Sequence, residues 1–426
     1  MGGRIKYCIR NCIDRSQTCL YLFYFFSVFN TSILFSQGNS VVFSHIDVNN
    51  GLSENWIKCI YKDSRGFIWF GTNNGLNRFD GYKFEIFRKN DSDSTAIADN
   101  NINVITEDNE GNLWVGTRSG ISVLSCETYK FRKVNLIPSA PLICQDIGYI
   151  TAITANSEGN ILIGTHNGLF YLNKKTNSFR HILIDEQSCF SQLNSITAIA
   201  HDKTGSFWIG TTNGFLIRYN QNSNSFANFE SLRDGNTRNG SITKLFVDNN
   251  NFLWVAEQIG LHLFNINEKS WNYDFQKRFG EVFRNLQITG IDQDTENQIW
   301  VTTDGKGAFI IDQTVPNLLN ILNIPYAEGS LSSNGLYSLY CDKSGIVWIG
   351  TAKKGVDFYK KNVRKFRVLR NLPTDPNSLS NNDVNCIAED SKGNILIGTN
   401  GGGLNCYNRK TREFTHFFSQ PGKSNS

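Results

Sequence analysis

The stretch GFIWFGTNNGL, Gly66 to Leu76, decides how this chain folds, because the chain repeats it. Seven later segments follow the same plan: GNLWVGTRSGI from Gly111, GNILIGTHNGL from Gly159, GSFWIGTTNGF from Gly205, NFLWVAEQIGL from Asn251, NQIWVTTDGKGA from Asn297, GIVWIGTAKKGV from Gly345 and GNILIGTNGGGL from Gly393. Aligned on the small residue after the apolar run, they place Gly71, Gly116, Gly164, Gly210, Ala256, Thr302, Gly350 and Gly398 in register, so the period is 45 to 48 residues. That is the length of one four-stranded propeller blade.

Three more positions hold register. Eight residues before each anchor stand Asp63, Asp108, Asn156, Asp202, Asp248, Asp294, Asp342 and Asp390, and three residues after each of these comes Gly or Asn. The pattern predicts a type I turn with a left-handed residue, and makes these side chains hairpin caps rather than a metal-binding carboxylate ring. Two residues before the anchors stand Trp69, Trp114, Leu162, Trp208, Trp254, Trp300, Trp348 and Leu396, whose shared register predicts packing between neighbouring blades over sugar stacking. Eleven residues before the anchors, an Ile or Leu sits within an alternating strand, the inner strand of each blade.

The fold expected is therefore all-β: four-stranded antiparallel blades, labelled a to d from the axis outward. A lone strand VVFSHIDV, Val41 to Val48, precedes the first unit and is suited to serve as strand d of the last blade, closing a ring with no free sheet edge. Counted this way, residues 37–361 make a seven-bladed propeller, and 362–426 hold the first blade of a second one; a closed ring of eight is the alternative.

Composition agrees. Seven Pro and one Met, against 36 Gly and 31 Phe, suit short aromatic strands with tight turns rather than helices. The net charge of +4 is too slight for a nucleic-acid binder. Residues 1–36 read as an export signal, with Arg4, Lys6, Arg10 and Arg15 ahead of the apolar run from Cys19 to Phe35. The cysteines show no CxxC or Cys/His spacing, so neither a metal nor a cofactor is expected, and Cys59, Cys341 and Cys386 read as small apolar strand residues.

The motif IKCIYKDSRGFIWFGTNNGLNRFDGYKF, Ile57 to Phe84, and its copies resemble the two-component regulator propeller repeat, over nearly all of 41–418. The resemblance implies a periplasmic sensor segment of a hybrid two-component histidine kinase of the Bacteroides type. In such proteins two propellers precede a β-sandwich, a membrane helix and the kinase. It also implies an oligosaccharide ligand, a kinase domain downstream on a longer chain anchored in the inner membrane, and a homodimer as an open assembly. These residues contain no phospho-accepting histidine box and no ATP-binding motif, so no catalytic residue is assigned and the sequence reads as a fragment.

A ligand is expected where the d-to-a and b-to-c loops converge. Two residues after each anchor the frame repeats while the side chain varies, which singles out Asn73, Arg118, His166, Gln258 and Asp304, with Lys306 and Lys353 in the longer b-to-c loops. Trp56, in a d-to-a loop, is placed to stack on a sugar ring. Rival readings are a protein-docking propeller and a propeller lyase or hydrolase using His166, Glu257 and Asp304.

Overall fold

The computed structural model describes residues 41–419 except 137–148, 157, 177, 186–190, 192, 230–239, 259, 314–316, 328 and 361–367. The expected leader lies outside these residues.

Eight four-stranded antiparallel sheets are present among them. The first, blade 1, runs Cys59–Lys62, Ile68–Gly71, Leu76–Phe79 and Phe84–Phe87 in the order a, b, c, d, and blades 2 to 6 repeat this order along the chain. Blade 7 takes its strands a to c from Leu336–Cys341, Ile346–Thr351 and Val356–Lys360. Its strand d is Phe43–Ile46, paired antiparallel with Phe43 opposite Tyr359 and Ile46 opposite Val356. The inner strand of each blade packs on the next, and that of blade 7 packs on that of blade 1. The result is a seven-bladed propeller, not a ring of eight.

The closure is polar as well as apolar. The Ile57 amide donates to the Thr351 carbonyl at 3.1 Å, the Ser338 hydroxyl donates to the Ile57 carbonyl at 3.0 Å, and Lys62 Nζ reaches Asp342 at 2.9 Å. Beneath them Ile46, Ile57, Ile68, Phe70, Trp348 and Val356 form one buried cluster spanning blades 7 and 1.

The D-x-x-G turns have the expected backbone: Gly66, Gly111, Gly159, Gly205, Gly345 and Gly393 lie at φ of 79° to 96°, and Asn251 and Asn297 at 64° and 63°. The anchor glycines have a different reason to be small. A Cβ on Gly71, Gly116, Gly164, Gly210 or Gly350 would stand 2.4 to 2.7 Å from Ile102, Ile150, Ile196, Ile242 or Ile57, at the start of the next blade's inner strand. The repeat motif is thus a contact between blades, read once per blade.

Two departures from expectation stand out. An α-helix, α1, spans Tyr273–Phe283 where blade 5 has only a two-residue strand d, Ser270–Trp271. Asn272 caps it, its side chain accepting from the Phe275 amide at 2.9 Å, and Phe275 and Phe283 are buried against the cluster joining blades 5 and 6. Spacing of Phe275, Phe279 and Phe283 by four is a helical stripe, which the strand-based reading overlooked. The second is the inner strand of the eighth sheet, Val384–Glu389, which is exposed at all six residues. Cys386 is therefore not covered as an apolar strand residue would be, since no neighbouring sheet packs there among the described residues.

Candidate functional site

Each blade brings the same two positions to one face of the ring. The backbone amide two residues after an anchor donates to the carbonyl just before strand a of the same blade: Arg118 to Asn101, Thr212 to Ser195, Gln258 to Ser241, Asp304 to Gln287 and Ala352 to Gly335, at 3.0 to 3.3 Å. The same sequence offset relates Asn73 to Trp56 and His166 to Tyr149, although the Asn73 amide donates to the Glu54 carboxylate instead. The face therefore carries two concentric sets of variable side chains on a fixed hydrogen-bonded frame. Sequence reasoning found the outer set and Trp56; it missed Tyr149, although Tyr149 stands to His166 as Trp56 stands to Asn73.

Two neighbourhoods form. On blades 7, 1 and 6, the Trp56 ring, 38% exposed, meets the edge of Tyr337 with centroids 5.3 Å apart, and the Tyr337 hydroxyl donates to Asp304 at 3.1 Å. On blades 2 to 4, Tyr149, 42% exposed, lies edge-on to His166 at 6.0 Å and under the Arg118 guanidinium at 5.5 Å. His166 Nδ1 is 3.1 Å from the Ser195 hydroxyl, itself 2.8 Å from that of Thr212. Both neighbourhoods join an aromatic platform to charged or hydroxyl groups, which suits a ring-shaped polar ligand.

The other expected residues are scattered on the same frame. Asn73 donates its amide to Glu54 at 2.8 Å, and Gln258, Lys306 and Lys353 are exposed, with the Lys306 amide held by the Thr303 hydroxyl at 3.1 Å.

The residues of the catalytic alternative are not brought together as a set. His166 and Asp304 have the separate partners just given, while Glu257 is buried, 4% exposed, beneath blade 5. Glu257 takes the place of a threonine present in the seven other repeats, where the hydroxyl closes the b-to-c turn, as Thr117 does on the Gly120 carbonyl at 2.8 Å. Its Oε2 is 4.0 Å from His262 Nε2, and its Oε1 has no hydrogen-bond partner among the described residues. His262 Nδ1 meets Gln276 of α1 at 3.0 Å. Burial pushes the Glu257 carboxyl up to about 7. Burial also lowers His262, with the Gln276 bond opposing it.

The repeat tryptophans and aspartates lie away from this face. Trp69, Trp114, Trp208, Trp254, Trp300 and Trp348 are 0 to 5% exposed, and each indole donates to the turn aspartate six residues earlier, Asp63, Asp108, Asp202, Asp248, Asp294 or Asp342. No group of three or more potential metal ligands occurs among the described residues.

Five segments, 51–74, 96–119, 192–213, 330–353 and 378–401, match the family model of the two-component regulator propeller. A stretch of 63 residues is 41% identical to histidine kinase P4 of Formosa agariphila, covering 15% of this chain and 5% of that protein. Among solved structures, the extracellular domain of a protein described as a hybrid two-component system of B. thetaiotaomicron is similar with a TM-score of 0.64 and 22% identity, over 89% of this chain and 55% of that one. A streptogramin B lyase is similar with a TM-score of 0.57 and 16% identity, over 75% of this chain and 98% of that one. The structural likenesses establish the fold. This chain spans about half the length of the B. thetaiotaomicron domain and a small part of the kinase.

Proposed function

We propose that this chain, which carries two-component regulator propeller repeats, is the ligand-sensing propeller of a periplasmic two-component signal-transduction protein and recognises an oligosaccharide on the Trp56–Tyr149 face. The observation that carries the reading is the pair of exposed aromatic platforms, each flanked by a charged group, on one rigid face of the ring. A sugar presents an apolar C–H face and a rim of hydroxyls. Trp56 and Tyr149 can cover the first, and Asp304, Arg118, His166 and Ser195 can hydrogen-bond the second. A ring closed by its own N-terminal strand resists distortion, so a bound ligand is sensed through loops and neighbouring domains rather than through the blades. The chemical output belongs to a kinase domain on a longer chain; this segment binds and does not react.

Calorimetry of the purified chain against a panel of plant, algal and host oligosaccharides tests the reading. At least one should bind with a measurable heat that falls at least tenfold in Trp56→Ala or Tyr149→Ala, with unchanged melting temperature. Absence of heat across the panel, or binding indifferent to both substitutions, overturns it.

A further inference from the structure

The axis of the propeller holds a cavity of about 230 Å³, lined by the inner strands of all seven blades. Six of these strands begin with a β-bulge, at Asn103, Thr151, Thr197, Thr243, Thr289 and Tyr337. The bulge turns polar side chains toward the adjacent blade: Thr197 donates to the Ile242 carbonyl at 2.5 Å and Thr243 to the Ile288 carbonyl at 3.3 Å. Those hydroxyls are thereby spent on blade-to-blade contacts, and the Thr151 hydroxyl is buried without a partner among the described residues.

Against this background two cations intrude. Lys58 and Lys244 line the cavity, and no Asp or Glu is among its lining residues. Lys58 is held by the side-chain oxygens of Asn101 and Asn103, with the Glu54 and Asp99 carboxylates electrostatically near it. Lys244 has neither a hydrogen bond nor an ion pair among the described residues. It occupies a position where the other blades place Cys59, Val104, Ala152, Ala198, Gly290 and Ser338, so no other blade puts a charge at this level. The group that bears on its charge is the Cys59 thiol across the ring, and burial pushes that thiol up to about 12, which keeps it neutral. Lys244 is exposed to solvent along the channel, where the surrounding strands lower its pKa by desolvation and no lining carboxylate offsets them.

We propose that the axial cavity is an anion site, in which Lys244 binds a carboxylate or sulfate group and Lys58, on another blade, adds to the positive charge of the lining. A cleft lined by charge of one sign and walled by low-dielectric protein concentrates counter-ions, and the cavity is large enough for one such group. The anion supplies what the chain withholds from Lys244, a charge-assisted partner. The site is separate from the aromatic platforms, so it stands whether or not those bind a sugar. The anion has two sources: a free ion, or an acidic substituent of a ligand lying across the face.

The test is thermal unfolding of the purified chain titrated with sodium sulfate or with sodium glucuronate at constant ionic strength, in wild type, Lys244→Met and Lys244→Arg, with near-UV circular dichroism as the check on folding. The expected result is a saturable rise in melting temperature, on the order of 2 °C, in wild type and Lys244→Arg and none in Lys244→Met. Saturation by sulfate assigns a free ion, and saturation by glucuronate alone assigns the acidic group of a sugar. A rise that never saturates, or that is equal in wild type and Lys244→Met, overturns the proposal. Should Lys244→Met not fold, saturation in wild type with competition between the two anions supports it, and no saturation in wild type overturns it.

Discussion

The indole of Trp300 donates to Oδ2 of Asp294 at 2.9 Å, while Oδ1 of the same carboxylate accepts the amides of Glu296 and Gln298 at 2.9 and 3.0 Å. One side chain therefore closes the a-to-b hairpin and fixes the large ring that fills the gap to the next blade. Five other blades repeat the pair. Blade 3, which has Leu162 in place of the tryptophan, has Asn156 in place of the aspartate, and that amide donates to Gln221 of blade 4 at 3.1 Å. With no indole to satisfy, a second acceptor oxygen is no longer required.

Exchange between the two versions follows. Asp294→Asn sets an amide N–H₂ or a lone oxygen against the indole and the turn at once, and should cost about 1–3 kcal/mol in urea unfolding. In a Trp300→Leu background the same change should cost less, giving a coupling of about 1–2 kcal/mol. Additive losses would remove the claim that the pair acts as a unit.

Closure by strand Phe43–Ile46 makes a second case. Phe43→Ala removes a buried ring from the seam and should destabilise by about 3–5 kcal/mol, although the residue lies near the N-terminal edge of the described chain. Removal of residues before 49 should expose the edge of Val356–Lys360 and produce concentration-dependent association in light scattering. A monomeric, equally stable truncated protein would contradict the closure.

Anchor glycines should tolerate nothing larger. Gly210→Ala puts a methyl 2.4 Å from Ile242 Cγ2 and should cost about 1–3 kcal/mol by overpacking. Ile242→Val keeps the clashing Cγ2, so rescue should be slight; Ile242→Ala removes it, so the double substitution should lose less than the sum of the two single losses, although Ile242→Ala alone costs about 2–5 kcal/mol.

Glu257 should give stability a falling slope with pH. Its folded carboxyl titrates at about 7 because burial disfavours the charge, against about 4.3 when unfolded. The folded state holds the extra proton between those values, so this contribution is complete below about pH 4.3 and is lost as pH rises toward 7. Glu257→Thr, which restores the residue of the other repeats, should raise stability at pH 8 by about 1–3 kcal/mol and flatten the slope. Asp292, also pushed up to about 7 by burial, titrates in the same window, so some slope should persist.

Asp108 and Asp342 act with the opposite sign. Burial pushes both carboxyls up, yet the sum of their hydrogen bonds outweighs it: the Trp114 indole, Lys174 and the Asn112 amide hold Asp108 low, and Ser344, the Ile346 amide, Lys62 and the Trp348 indole hold Asp342 low. Their stabilisation is present above the unfolded value near pH 3.9 and is lost as pH falls through the folded one. Acid unfolding below about pH 4 should shift to higher pH in Lys174→Met, and an unchanged acid limb would argue against this role for Lys174.

Strand order and the packing register of the tryptophans were determined by the repeat alone, because each blade meets the same neighbour and a residue type recurring once per period reports that contact; the choice between seven and eight blades was decided by the pairing of Phe43–Ile46 with Val356–Lys360. The ring face was legible as variation two residues after each anchor. Three things were decided in three dimensions. Tyr149 joined the face because the fold sets its ring beside His166 of its own blade and under Arg118 of the preceding one, positions distant in sequence. Helix α1 arose where a stripe of Phe275, Phe279 and Phe283 found an apolar gap between blades 5 and 6. Lys244 became an unpaired charge through closure of the ring, which sets seven inner strands around one axis and leaves its ammonium facing walls that carry no carboxylate. A linear sequence lists neighbours along the chain, whereas the electrostatic cost of a charge depends on the groups that surround it in space.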